Sequence, residues 1–159
     1  MELMTDLELS KFIPFRLNRL AAEVSHKLAE VYTDRFGIDI VEWRILVTLA
    51  ALKSRESCSA QHIVQSTRTH KSRISRGVNR MIELNYVTRT ESRHDRREAK
   101  LRLTAKGRAL HGKVAPVVLE QERNIVSCLN EQELQAFLQA LDRLEQSMGL
   151  VGQNEEQRE

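Results

Sequence analysis

At 159 residues the chain has the length of one compact domain, or of one small domain with a helical extension that docks on a partner, and several independent domains are not expected. Hydrophobic residues at 41% and charged residues at 30% leave enough apolar material for a core and point to a folded rather than a disordered chain. No stretch approaches the ~18 apolar residues of a membrane span. The start, with Glu2, Asp6 and Glu8, does not read as a secretory signal, so a cytoplasmic location and no membrane partner are expected.

Charge is unevenly placed. Between Thr67 and Arg108 lie thirteen basic residues against four acidic ones (Glu83, Glu91, Asp95, Glu98), a local surplus of nine positive charges in a chain whose total is +3. The rest of the chain therefore carries −6. A segregated basic field suits a polyanion, because neutralising phosphates releases their counterions, although a solvated basic face would show the same charge. Cys58 and Cys128 stand far apart and are read as small packing thiols; the alternative, a redox sensor, finds no Cys-x-x-Cys pair. Cys58 and His62 have no second pair of ligands at a zinc-like spacing, so neither a metal nor a cofactor is expected.

In chain order, Leu17, Leu20, Val24, Leu28 and Val31 recur at steps of three and four, predicting an amphipathic helix from Phe12 with Pro14 in its first turn and Gly37 beyond its end. Asp39 with Glu42 forms a capping-box pattern ahead of Trp43, Leu46, Val47 and Ala50, predicting a second helix to about Leu52. Ser59 is placed to cap a short helix to about Gln65, with Ile63 and Val64 as its apolar contacts. A tight connection at Thr67 to Thr69 follows. From His70 to Asn85, Ile74, Val78, Met81 and Ile82 form a stripe while Lys71, Arg73, Arg76 and Arg80 project elsewhere, which predicts a basic helix laid on a core.

From Val87 to Leu103 the period falls to two, predicting a two-stranded hairpin whose charged tip runs Arg93-His94-Asp95-Arg96-Arg97-Glu98. Thr104 is expected to cap a helix towards Ser127, which Pro116 should kink or divide. Asn130 and Glu133 repeat the capping pattern before a stripe of Leu134, Phe137, Leu138, Leu141, Leu144 and Met148, and Gly149 closes this last helix ahead of a flexible tail, 150–159.

A short helix, a tight turn and a second helix make the helix-turn-helix unit, whose second member can enter the major groove of DNA. The candidate contacts are Thr69, His70, Lys71, Ser72, Arg73, Ser75, Arg76 and Arg80: Arg or Lys can donate twice to guanine, and Ser can reach a base or a phosphate. Arg93, Arg96 and Arg97 on the hairpin tip are candidates for the minor groove and the backbone beside it. Asp95 is expected to pair with a tip arginine and hold the loop in shape. The fold class is thus mainly α with a small β-hairpin wing, a winged helix-turn-helix domain plus a helical dimerisation region.

The run Lys71-Ser72-Arg73-Ile74-Ser75-Arg76, then Leu84-Asn85-Tyr86-Val87, Asp95-Arg96-Arg97 and Leu101-Arg102-Leu103-Thr104-Ala105-Lys106-Gly107 resembles the MarR family of bacterial regulators, and the resemblance extends from about Phe12 to Met148. It implies a single unit over 1–159: a DNA-binding lobe at 38–104, dimerisation helices at 10–36 and 105–149 that intertwine with a second copy, a near-palindromic duplex operator, and repression relieved by a small ligand. It also implies that Arg97 is the minor-groove arginine and the helix from His70 the recognition helix. The unpaired apolar stripes at both ends of the chain independently favour a homodimer.

For the ligand, Arg16, Arg19, Trp43 and Arg44 are candidates, since an arginine beside an aromatic wall can hold a carboxylate or phosphate against the ring. Trp43 as core and the arginines as surface or intersubunit ion pairs remain the alternative. Phe12-Ile13-Pro14-Phe15-Arg16-Leu17 and Arg35-Phe36-Gly37-Ile38 through Glu42-Trp43-Arg44 are similar to a proteobacterial subgroup of that family, some of whose members govern catabolism of aromatic acids, which suggests a phenolic acid or its coenzyme A thioester as effector. An enzyme is not expected, because His26, His62, His70, His94 and His111 are scattered and no nucleophile with its base appears. The competing function is a winged-helix module for protein or RNA contact without operator specificity.

Overall fold

The computed structural model describes residues 7–53, 56–91 and 99–150. The expected hairpin tip, with Arg93, Asp95, Arg96 and Arg97, and the tail from 151 onward lie outside the described residues. The elements are α1 (Ile13–Phe36), α2 (Ile40–Ala50), β1 (Cys58–Ser59), α3 (Ala60–Thr67), α4 (Lys71–Glu83), β2 (Val87–Thr90), β3 (Lys100–Leu103), α5 (Ala105–Val126) and α6 (Glu131–Ser147). The chain is mainly helical with a small antiparallel sheet, a winged helix.

The helix starts lie where short polar side chains can satisfy free backbone N–H groups. Asp39 accepts from Glu42 N and Glu42 accepts from Asp39 N, each at 2.8 Å, a complete capping box. Asn130 and Glu133 form a second one, and Ser59 and Thr104 cap α3 and α5. Gly37 ends α1 at φ 66°, a left-handed turn that glycine adopts without a Cβ clash.

α2 is the centre of the core. Val41, Ile45, Leu46 and Leu49 are buried against Ile63 of α3, Ile74, Val78 and Met81 of α4, Val87, Leu101 and Leu103 of the sheet, and Val114 of α5. This corrects the expected packing face of α2, since Val47 is exposed and the Val41-Ile45-Leu49 row is buried instead. α2 is apolar on more than one side, so spacing alone could not choose the row.

The sheet has one strand more than the expected hairpin. β2 pairs with β3 in the register Val87↔Leu103 and Arg89↔Leu101, and β1 adds to the other edge of β3 through Cys58↔Leu101. Burial in this short strand pushes the Cys58 thiol up to about 11, which leaves it almost wholly protonated at neutral pH. Pro116 does not divide its helix: α5 is continuous from Ala105 to Val126. The acceptor that Pro116 leaves without its usual partner is the carbonyl of Gly112, four residues back and exposed to water.

α5 docks on the sheet at one backbone crossing. Thr104 N and Thr104 Oγ1 both reach the Tyr86 carbonyl, and a Cβ on Gly107 would collide with that same oxygen. Gly112, on the same helix, has open space where its Cβ would be. Gly107→Ala should therefore cost about 1–3 kcal/mol in urea unfolding, from forced displacement of packed backbone. Gly112→Ala should be neutral or stabilising by about 0.5–1 kcal/mol, from the better helix propensity of alanine. Equal effects at the two positions would refute the crossing as the constraint on Gly107.

Candidate nucleic-acid interface

The helix-turn-helix is built from α3, the turn Arg68 to His70, and α4. Thr67 Oγ1 donates to the Ile63 carbonyl at 2.6 Å as α3 ends, and Arg68 takes the left-handed conformation at φ 51° that reverses the chain. Thr69 is 5% exposed. Its hydroxyl accepts from Arg44 at 3.1 Å and donates to the Thr67 carbonyl at 3.3 Å, so α2 holds the turn directly. His70 caps α4 by accepting from Ser72 N at 3.2 Å through Nδ1, which also lies 2.8 Å from Ser72 Oγ.

α4 seats on α2 through Ile74, Gly77, Val78 and Met81. A Cβ at Gly77 would lie 2.8 Å from Ile45 Cδ1 and 3.2 Å from Val41 Cγ1, so the missing side chain is what lets the two helices approach. At about 100° per residue, the face opposite this seat is Ser72, Arg76, Asn79 and Glu83. Lys71 and Ser75 flank it on the side of the sheet, and Arg73 and Arg80 on the side of α2. The exposed face of α4 is thus polar and cationic over its first two turns, the part that a recognition helix presents to base edges.

The structure keeps Lys71, Ser72, Arg73, Ser75 and Arg76 together on this exposed surface. It gives three other expected contacts internal work. Thr69 is buried in the turn, His70 is a helix cap, and Arg80 is drawn away from the outer face. Arg80 donates to Glu42 Oε1 at 2.7 Å and to the Gly37 carbonyl at 3.3 Å. Glu42 is 1% exposed, so the cation answers a carboxylate that has left water. Arg89 and Asn79, joined at 3.2 Å beside this surface, were not singled out by charge patterning. Strand alternation was the available signal, since Arg89 shares the face of Val87 that looks towards α4.

The expected ligand pocket does not assemble within the chain. Arg16 and Arg19 lie near the start of α1, with the Arg19 guanidinium 5.5 Å over the Phe15 ring. Trp43 instead stacks between Tyr32 of α1, at 6.3 Å, and His111 of α5, at 6.0 Å. Thirteen residues of helix separate Arg19 from Tyr32, about 20 Å. Half-buried Trp43 is thus engaged with two rings of its own chain, and Arg44 is turned to Thr69. Beside this stack the Tyr32 hydroxyl is buried with no hydrogen-bond partner among the described residues. Burial pushes its pKa up, with the Arg44 charge pulling it down and Asp39 pushing it up.

Among the described residues no group of three or more His, Cys, Asp or Glu is placed to hold a metal, and no helix is long and apolar enough to cross a membrane.

Residues 36–98 match the sequence model of the MarR family. The chain is 26% identical over 132 residues to the HTH-type transcriptional regulator PecS of Dickeya dadantii, covering 83% of this chain and 79% of PecS. A MarR/EmrR family transcriptional regulator from Acinetobacter sp. ADP1 has a similar structure, with a TM-score of 0.78 and 25% identity over 91% of this chain and all (100%) of that one. CouR from Rhodococcus jostii RHA1, crystallised with p-coumaroyl-CoA, has the same fold at a TM-score of 0.74 and 19% identity, covering 88% and 94% of the two chains. The fold is the winged helix of the MarR family.

Removing Arg80 leaves the buried Glu42 carboxylate with its capping bond alone. Arg80→Ala should lower stability by about 1–3 kcal/mol in urea titration, the range for a hydrogen bond to a charged group. Arg73→Ala, at an exposed position away from the core, should change stability by less than about 0.5 kcal/mol. A fully stable Arg80→Ala would show that the pair carries no structural load.

Proposed function

We propose that this chain, whose lobe carries the MarR winged helix, is a sequence-specific DNA-binding transcription regulator that works as a homodimer. The observation that carries the reading is α4: Ile74, Gly77, Val78 and Met81 are buried in the core, and its opposite side offers Ser72, Arg76 and Asn79 flanked by Lys71, Ser75 and Arg73, with nothing of the described chain covering them. In this reading α4 enters the major groove and Arg93, Arg96 and Arg97 serve the minor groove and its backbone, with Asp95 orienting the tip. The transcriptional role of PecS supports it.

The homodimer rests on apolar surface that one chain cannot cover. α6 has no buried residue, and Phe137, Leu138, Leu144 and Met148 are exposed. α1 buries only Tyr32, leaving Ile13, Leu17 and Leu20 in solvent. An apolar groove of about 650 Å³ runs between these helices and α5, lined by Leu20, Val24, Leu28, Val118, Ile125 and Phe137 among others. A second copy would cover these faces and set two recognition helices on one duplex, which matches a near-palindromic operator.

Repression released by a small aromatic or anionic ligand completes the proposal, with an aromatic acid or its coenzyme A thioester as the effector class. The unpartnered Tyr32 hydroxyl beside the Trp43 stack supports a polar ligand group there, since a buried hydroxyl left unbonded costs about 1–3 kcal/mol. The p-coumaroyl-CoA bound to CouR supports the class.

Selection of duplexes from a random pool by the purified protein should converge on one inverted-repeat sequence. Binding to it should fall about 10³-fold or more between 50 and 200 mM salt while still exceeding binding to random duplex, and a phenolic acid or its thioester should release it. Failure to prefer any duplex would favour the protein- or RNA-binding winged helix, and release by neither ligand would remove that effector class. Leu138→Glu should convert a dimer to monomer in light scattering, and an unchanged dimer would place the interface elsewhere.

A further inference from the structure

A protein that sets a helix in the major groove and a hairpin in the adjacent minor groove must let one sugar–phosphate strand pass between the two. In this chain that passage is the seam between α4 and the sheet. A cleft of about 330 Å³ opens there, between α3, the first turns of α4 and strands β2 and β3. Its polar lining is Ser59, Gln61, Lys71, Ser75 and Arg89, and its floor includes Ile74 and Leu101. Two cations and three neutral donors face it, and no carboxylate is among its described lining residues.

We propose that this cleft binds one phosphodiester of duplex DNA in each half-site, with Arg89 as the cation that meets it and Asn79 as the residue that positions Arg89. The proposal rests on the DNA-binding reading above and names a contact outside the α4 surface and the hairpin tip. Arg89 shares the face of β2 with the buried Val87, and its guanidinium reaches α4 at the cleft rim while staying exposed to solvent. One of its five N–H donors goes to Asn79 Oδ1 at 3.2 Å, which fixes the planar group while leaving other donors for a phosphate. Lys71 adds a second charge from the start of α4, and the Ser75 hydroxyl a neutral donor.

Asn79 lies on the outward face of α4, where an asparagine could pair with adenine through its carbonyl and amide together. Here the carbonyl accepts from Arg89. The geometry thus makes Asn79 a positioning residue, and its effect on binding passes through the arginine.

The test uses the full-length protein and its selected duplex, with single linkages replaced by uncharged methylphosphonates. Wild type should lose affinity at one linkage per half-site more than at its neighbours. Arg89→Gln, which keeps a polar side chain on the strand, should be insensitive at that linkage. Its log K against log salt should be shallower by about 1 per half-site, with operator and random duplex weakened alike. Asn79→Ala should weaken binding in the wild-type background, have no further effect on Arg89→Gln, and leave sequence preference unchanged. Thermal melts should show both variants folded.

An unchanged salt slope and linkage profile in Arg89→Gln would overturn the phosphate site. A new base preference in Asn79→Ala would overturn its positioning role. Protection of the cleft by inorganic phosphate, with every linkage effect retained in Arg89→Gln, would assign it to a free anion instead. If wild type binds no duplex at all, the regulator reading fails first, and that outcome is distinct from loss of the Arg89 contact alone.

Discussion

One buried carboxylate joins three helices. Glu42 caps its own helix with Oε2, accepts Arg80 of α4 with Oε1, and through Arg80 is linked to the Gly37 carbonyl at the end of α1. A carboxylate taken out of water is costly unless each oxygen has a donor, and here each does. The pair therefore sets the angle at which α4 leaves the core, because shifting either helix would strand a charge. Gly77 works on the same seat from the apolar side by admitting Ile45 and Val41 close to the α4 backbone. Arg44 extends the arrangement to the turn through Thr69. The exposed face of α4 is thus aimed from its inner side, by a buried carboxylate, a half-exposed arginine and a missing side chain.

Local chemistry was legible in the sequence. Asp39 with Glu42, Ser59, Thr104 and Asn130 with Glu133 all cap where their spacing predicts, because capping depends on three or four consecutive residues. The basic helix and its apolar stripe were legible for the same reason. β1 was not, because two residues carry no period and Cys58 finds its partner, Leu101, more than forty positions away. The role of Arg80 was also hidden. A run of arginines on one helix reads as one charge field, and only the packed structure shows that one of them faces a carboxylate from another helix.

The expected ligand residues fared differently. Arg16, Arg19, Trp43 and Arg44 were grouped by chemistry, an aromatic wall beside cations, with no means of placing them in space. The length of α1 keeps Arg16 and Arg19 far from the others, and Trp43 is stacked with Tyr32 and His111. The same stack exposes a feature that residue type alone could not mark. A tyrosine at helical spacing from Leu28 looks like an ordinary core residue until its hydroxyl is found without a partner.

α6 shows what the chain owes to its own abundance. A helix with a full apolar stripe and no buried residue gains little while it stands alone, so in the proposed homodimer an ordered subunit and a paired subunit would be nearly the same species. In such a system the amount of pairs grows with the square of scarce chains. If the proposed dimer is the competent form, halving a scarce supply of chains would remove more than half of it, and the response to dose would be steeper than proportional.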